Sequence, residues 1–259
     1  MKISLARASW IFASLLLLPA VAFGFCHEIE VVRRIALAPA SAVTVEWIGH
    51  ATFEITSSKG TRILTDPHGR GDLPSPNSIH HIVTSSHPHG PHSSVWMARG
   101  NPVILHGLTP GGENWNKIHQ TIRDVSVYTV PAFHDKSQGL QRGKNAIFGF
   151  RVDGVCIAHL GDLGHHLTPE QLKMLGKIDI LLVPIAGGMY TVTASEAMEV
   201  TKQVNPRIAI PMHYWWDGAV EEYTRGHSRI RKLNTRVFSI SKNQLPPPIE
   251  VVVVPWNHR

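Results

Sequence analysis

The chain has 259 residues, 43% of them hydrophobic and 17% charged, which excludes a highly charged disordered protein and is enough for one large domain. Two cysteines exclude a disulfide-dense scaffold and a thiolate zinc cluster, which takes three or four. The net charge is only +6, yet 17 histidines stand beside 19 acids and 25 Lys+Arg, and a surplus of neutral imidazole points to metal binding or proton transfer.

The N-terminus carries Lys2 and Arg7 and no acid before an apolar run over residues 8–25 centred on four leucines. Pro19 breaks the run, and Ala22-Phe23-Gly24 supplies small residues at the cleavage positions. This is the pattern of a secretory signal peptide cut after Gly24, in preference to an uncleaved anchor or a lipoprotein through Cys26. The expected compartment is periplasmic or extracellular. Cleavage lowers the charge to +4, with no block of like charge and no later span-length apolar stretch, so neither nucleic acid nor a stable membrane span is expected. Cys26 and Cys156 are able to pair in such a compartment, although Cys156 in its apolar run also reads as a small buried residue.

Residues 25–42 read as an N-terminal extension and 43–259 as the domain. Short β-rich runs at 43–48, 52–56 and 62–65 alternate with turns and predict a hairpin-rich opening. A Gly/Pro/Ser/Asn loop over 68–78 follows. Further strands are predicted at 81–86, 125–130, 146–152, 155–160, 178–183, 207–210 and 250–254. Thr168-Pro169-Glu170-Gln171 forms a capping box that opens a helix closed by Gly176, and Thr193 opens a second. On that second helix Ala194, Ala197, Met198, Thr201 and Val204 share one face at 3.6 spacing and are read as core. Residues 218–233 are predicted helical, and Pro246-Pro247-Pro248 leads into the last strand. The pattern fits one α/β domain with more than one sheet layer.

Chemistry concentrates at Ser86-His87-Pro88-His89-Gly90-Pro91-His92. On extended backbone residues i and i+2 point the same way, so His87 and His89 can converge on one cation. His92 is expected to point elsewhere after the Gly90-Pro91 turn, toward a second site or a substrate. Three later strand ends repeat a ligand-type side chain beside a small or turn residue: His134-Asp135, His159 with Asp162, and Met212-His213. Strand ends along one sheet edge are where α/β sites are commonly built.

These segments, together with Trp47-Ile48-Gly49-His50-Ala51-Thr52-Phe53, Ile63-Leu64-Thr65-Asp66-Pro67 and Val183-Pro184-Ile185-Ala186-Gly187-Gly188, resemble the metallo-β-lactamase superfamily, and within it the UlaG-like metal-dependent hydrolase branch. The matching segments run in the family's order over residues 43–215. The resemblance implies an αββα sandwich, two mixed β-sheets face to face with helices outside. It puts His87, His89 and His134 on a first metal and His92 and His213 on a second, with Asp162 bridging. The cofactor it implies is a divalent metal, zinc first, with manganese or iron also compatible, at one or two ions per chain. Asp66 corresponds to a position supporting the histidine loop from behind. His50 corresponds to a pocket-lining position, donating to a substrate oxygen or holding its loop. His165 and His166 follow Asp162 and are candidates to face the pocket, whereas His159 reads as a core residue.

One position departs. The family's cluster is H-x-H-x-D-H, and Pro91 stands at the Asp place. Proline offers no ligand atom, so the second site loses a carboxylate unless Asp135 replaces it. The expected function is an exported hydrolase in which metal-activated water attacks an ester, lactone, amide or phosphodiester centre of a small-molecule substrate, with Asp162, His50 and His165 as catalytic candidates. The alternative is a catalytically weak relative, kept as a metal-binding sensor or carrier. A nuclease and a true β-lactamase are both disfavoured.

Overall fold

The computed structural model describes residues 41–188 and 191–255. The signal segment, the extension before residue 41 and Cys26 lie outside the described residues; Cys156 is disulfide-bonded.

Fourteen strands are described. The N-terminal part contributes β1 (Ala42–Gly49), β2 (Thr52–Thr56), β3 (Arg62–Thr65), β4 (Ile82–Ser85) and β5 (Val103–His106). Then come β6 (His119–Ile122), β7 (Val125–Phe133), β8 (Lys144–Val152), β9 (Val155–His159), β10 (Ile180–Pro184) and β11 (Ile208–Met212). The chain closes with β12 (Ile230–Lys232), β13 (Val237–Ser241) and β14 (Glu250–Val253). The helices are α1 (Gly90–Ser93), α2 (Pro169–Leu175), α3 (Ala194–Val204) and α4 (Asp217–Arg225).

The strands form two mixed sheets. One runs β13-β1-β2-β3-β4-β5 and the other β12-β14-β11-β10-β9-β8-β7-β6. In β1, Val43, Val45 and Trp47 are buried while Thr44 and Glu46 between them are half-buried, the alternation of a strand with one face on the core. In β9, β10 and β11 every residue is buried. These three pair in parallel and are covered on both faces, which is why they read as unbroken apolar runs. The sheets meet face to face through Trp47 against Tyr214, ring centroids 5.2 Å apart, and Phe53 against His159 at 6.2 Å. Truncating a fully buried indole such as Trp47 would cost about 3–5 kcal/mol.

The helices flank the eight-stranded sheet: α2 packs on β7, and α3 on β10 and α4. The predicted capping box of Thr168 with Gln171 is present, and the helix start at Thr193 is also a capping box, with Glu196. On the six-stranded side the helical layer is thin, and α1 is a four-residue turn against β4. The helix expected over 218–233 is shorter. It stops at Arg225 with Gly226 as C-cap, and residues 230–232 extend beside β14 in parallel pairing. Loss of the side chain at Gly226 and recruitment of Ile230 to an open sheet edge outweigh helical pattern there. No helix among the described residues is long and apolar enough to cross a membrane.

Strand direction fixes where the site lies. β1 and β2, then β2 and β3, pair antiparallel, and β3 pairs parallel with β4, so β1, β3 and β4 point one way. By the same reasoning β7, β9 and β11 share a direction in the other sheet.

Candidate metal centre

Each polar residue of the centre follows the C-terminal end of one of those six strands. His50 follows β1, Asp66 follows β3, and His87, His89 and His92 follow β4. His134 follows β7, Asp162 lies three residues past β9, and His213 follows β11. Three of them, His50, Asp66 and His213, have left-handed backbone, with φ of 55°, 36° and 56°. Non-glycine residues held there cluster at functional sites.

Asp162 is the hub. Its Oδ2 lies 3.1 Å from His92 Nε2, 3.1 Å from His134 Nε2 and 3.7 Å from His87 Nε2. Its Oδ1 lies 3.1 Å from His213 Nε2. The approach to Asp162 needs Gly161, whose φ is +55° and where an added Cβ would collide with Asn145 and Ser86. Asn145, buried in β8, then pins the turn. Its amide donates to the Leu160 carbonyl at 2.9 Å and accepts from Asp162 N at 3.1 Å.

Asp66 orients two of the histidines. It accepts from His92 Nδ1 at 2.9 Å, from Ser86 N at 2.8 Å and from Ser86 Oγ at 2.5 Å. Because Ser86 Oγ has its one proton on Asp66, it accepts from His87 Nδ1 at 2.9 Å. Both rings are thereby held with Nδ1 protonated and Nε2 turned toward Asp162. The Gly90-Pro91 turn does not send His92 away: it starts α1 and folds His92 back, fully buried, onto Asp162. Asn145 and Ser86 escaped the sequence reading; a buried amide inside an apolar strand and a serine directly before His87 were the signals available.

Charge is unevenly distributed. Burial raises the Asp162 carboxyl pKa, but the imidazoles of His213, His92 and His134 overcome this and hold it well below the usual range. Burial pushes His87 down to about 3. Burial opposes the charge on His92 too, yet Asp162 and Asp66 overcome it and raise that ring to about 10. Burial, reinforced by His213 and His92, keeps His50 well below the normal histidine value.

Other candidates stand elsewhere. Asp135 turns into the following loop, where its carboxylate accepts from the amides of Ser137, Gly139, Gln141 and Arg142. With both oxygens spent on four amides of its own loop, it does not supply a carboxylate to the centre. His165 has both nitrogens engaged: Nδ1 donates to the His166 carbonyl at 2.7 Å and Nε2 accepts from Phe133 N at 3.0 Å. It ties the loop after Asp162 to the end of β7, and His166 is exposed. His159 is a core residue, its ring bonded to the Ala51 carbonyl at 2.7 Å and to Gly161 N at 3.1 Å.

The fit to a cation is carried by atoms with no well-directed partner. Nε2 of His87 and His92, Nδ1 of His50, His134 and His213, and Oδ1 of Asp162 are buried without a hydrogen bond. Such atoms are rare in folded proteins. Ligand atoms of His87, His89, His92 and Asp162 lie within 4.8 Å of one another, as do those of His50, His92 and His213. Imidazole nitrogens with a carboxylate suit zinc, iron or manganese. A cavity of about 280 Å³ opens on the centre, with His87, His89, His134, Leu108, Arg142 and Lys144 in its wall. Away from the residues that line this cavity, Trp215 stacks on the His50 ring, centroids 5.4 Å apart.

A family model for the beta-lactamase superfamily domain matches residues 44–213. A UPF0173 metal-dependent hydrolase of Thermococcus onnurineus is 33% identical to this chain, covering 66% of it and 84% of the relative. Among solved structures, a Thermotoga maritima protein assigned to the zinc-dependent hydrolases of the metallo-β-lactamase superfamily superposes with a TM-score of 0.65 at 30% identity. That match covers 82% of this chain and all of the other. A Parabacteroides distasonis protein shares the fold, with a TM-score of 0.62 at 20% identity over 82% of this chain and 93% of its own. With the matched span beginning in β1 and ending on the last histidine of the centre, the chain belongs to the metallo-β-lactamase superfamily.

Proposed function

We propose that this protein is an exported metal-dependent hydrolase acting on an ester, lactone or phosphodiester bond of a small anionic molecule. The observation that carries the reading is the buried Asp162 with four imidazole nitrogens within 3.7 Å of its oxygens, two of them from His87 and His134, which line a cavity. His87, His89 and His134 would hold one ion, and His92 and His213 a second, with Asp162 between them. A bound divalent metal would supply Lewis acidity, polarising the carbonyl or phosphoryl oxygen of the centre under attack and lowering the pKa of water to about 7.

The chain's own groups do the rest. Asp66 keeps a proton on His92 Nδ1 and, through Ser86, on His87 Nδ1, so that both Nε2 lone pairs face inward. Asp162 remains ionised and offers the carboxylate that orients water. Arg142 and Lys144 on the cavity wall favour a substrate with a negative group, and the Lys144 ammonium is steadied 5.0 Å above the Trp115 ring. Export rests on residues 1–24 of the sequence, and mass spectrometry of the mature N-terminus tests it.

Elemental analysis of protein purified without added metal, with a panel of phosphodiester, lactone and carboxyl ester substrates, tests the activity. At least one ion per chain is expected, with turnover that chelation abolishes and metal restores, and that Asp162→Ala removes. Protein with less than about half an ion per chain and no turnover on reloading would sink the reading. Pro91 favours a second reading, a metal-binding relative with little catalysis. Metal present at stoichiometry, with turnover appearing only in Pro91→Asp, would select it.

A further inference from the structure

The loss of the family carboxylate at Pro91 leaves the second site with His92, His213 and the shared Asp162. Asp135 is spent on its own loop. We infer that His50 fills the place as a metal ligand, making the second site a three-imidazole site of His50, His92 and His213. This rests on the metal-dependent reading above.

Four observations carry it. The His50 ring lies 4.0 Å from the His213 ring and 4.8 Å from the His92 ring, centroid to centroid, and the three offer ligand atoms within 4.8 Å of one another. His50 is 3% exposed, and its Nδ1 has no hydrogen-bond partner. The loop ties made by this residue use its backbone: the carbonyl accepts from Trp47 Nε1 at 3.0 Å and from His213 N at 3.0 Å. The ring is therefore not needed to hold the loop. The residue also sits at φ 55°, a conformation glycine would take more readily, while Trp215 covers the ring from outside. A strained, solvent-shielded imidazole with an idle nitrogen beside two others is what a ligand requires.

The exchange of a carboxylate for an imidazole alters metal choice. The site holds one negative charge fewer, and its nitrogen-rich set favours zinc, cobalt or nickel over manganese or magnesium.

The test is zinc titration of metal-stripped full-length protein, followed calorimetrically, for wild type, His50→Asn and the double variant His50→Asn/Pro91→Asp. Asparagine tolerates left-handed backbone, so the turn is preserved. Two equivalents are expected for wild type. In His50→Asn the second should weaken at least tenfold, and the double variant should regain it. Anomalous diffraction at the zinc edge on wild-type crystals gives a reading independent of any variant: a second zinc about 2.0–2.1 Å from a His50 ring nitrogen. A second zinc more than 3 Å from that ring, or undiminished second-site binding by His50→Asn, overturns the assignment and leaves the hydrolase reading standing. Absence of zinc binding in wild type overturns both.

Discussion

Asp66 Oδ2 lies 2.9 Å from His92 Nδ1, with both side chains wholly buried. The same carboxylate reaches His87 through Ser86, so one residue sets the orientation of two candidate ligands whose Nε2 atoms both approach Asp162 Oδ2. Asp66→Asn keeps the shape and removes the charge that makes these imidazoles basic. Zinc affinity should fall about 10–100-fold, the usual effect of losing such a partner. Competition against a chromophoric chelator measures it, and an unchanged affinity would show that Asp66 merely packs.

The stability of the metal-stripped protein should peak near neutrality. His87, held at about 3 mainly by burial, takes up its proton in the unfolded chain near 6.5 but not in the folded one. Stability therefore falls as pH drops from about 6.5 toward 3. His92 is the opposite case. Against its burial, Asp162 and Asp66 raise it to about 10, so the folded protein keeps a proton that the unfolded chain releases near 6.5. That contribution is complete below about 6.5 and is lost as pH climbs toward 10. Melting temperatures across pH 4–10, with and without saturating zinc, check both limbs. A steady rise from pH 6.5 to 9 without metal would contradict the His92 assignment.

Asp135→Ala should separate a loop anchor from a ligand. Four backbone amides lose their acceptor, a destabilisation of at least about 1–3 kcal/mol. Zinc stoichiometry should be unchanged, while KM rises because the loop carries Arg142 to the cavity wall. Loss of an equivalent of zinc would return Asp135 to the centre.

Arg142→Ala and Lys144→Ala should each raise KM for an anionic substrate about tenfold, the rough worth of one charge-assisted contact, and leave a neutral ester of the same size nearly unaffected. Added salt should weaken the wild type's preference. Equal losses on both substrates would mean that the two cations serve the loop and not the ligand.

Much of this was legible in the sequence, for identifiable reasons. β1, β2, β3 and the caps of α2 and α3 announce themselves locally, because alternation and a Thr-x-x-Gln or Thr-x-x-Glu pair are properties of a few neighbouring residues. The strands that escaped were β5, β6, β12 and β13, and they are the four sheet edges. β6 and β12 are almost wholly exposed, and β5 buries only Leu105. Their strand character comes from a partner distant in the chain and leaves little local trace. The histidines and Asp162 were legible by type and order. The resemblance put His92 beside Asp162, but the local residues alone did not, because Gly90-Pro91 is equally compatible with a turn away and with the helical start it makes. Asp135 misled for a related reason: adjacency to His134 says nothing about which of the two a strand end turns inward.

The amide of His213 donates to the carbonyl of His50 across the gap between the two sheets, and the imidazoles around Asp162 are drawn from both. A cation seated there is gripped by two separate slabs of the protein at once. Its departure is then a parting of the layers rather than the swing of one side chain. Retention should be governed by how often the sandwich gapes, so an ion can be slow to leave even where each individual bond to it is weak.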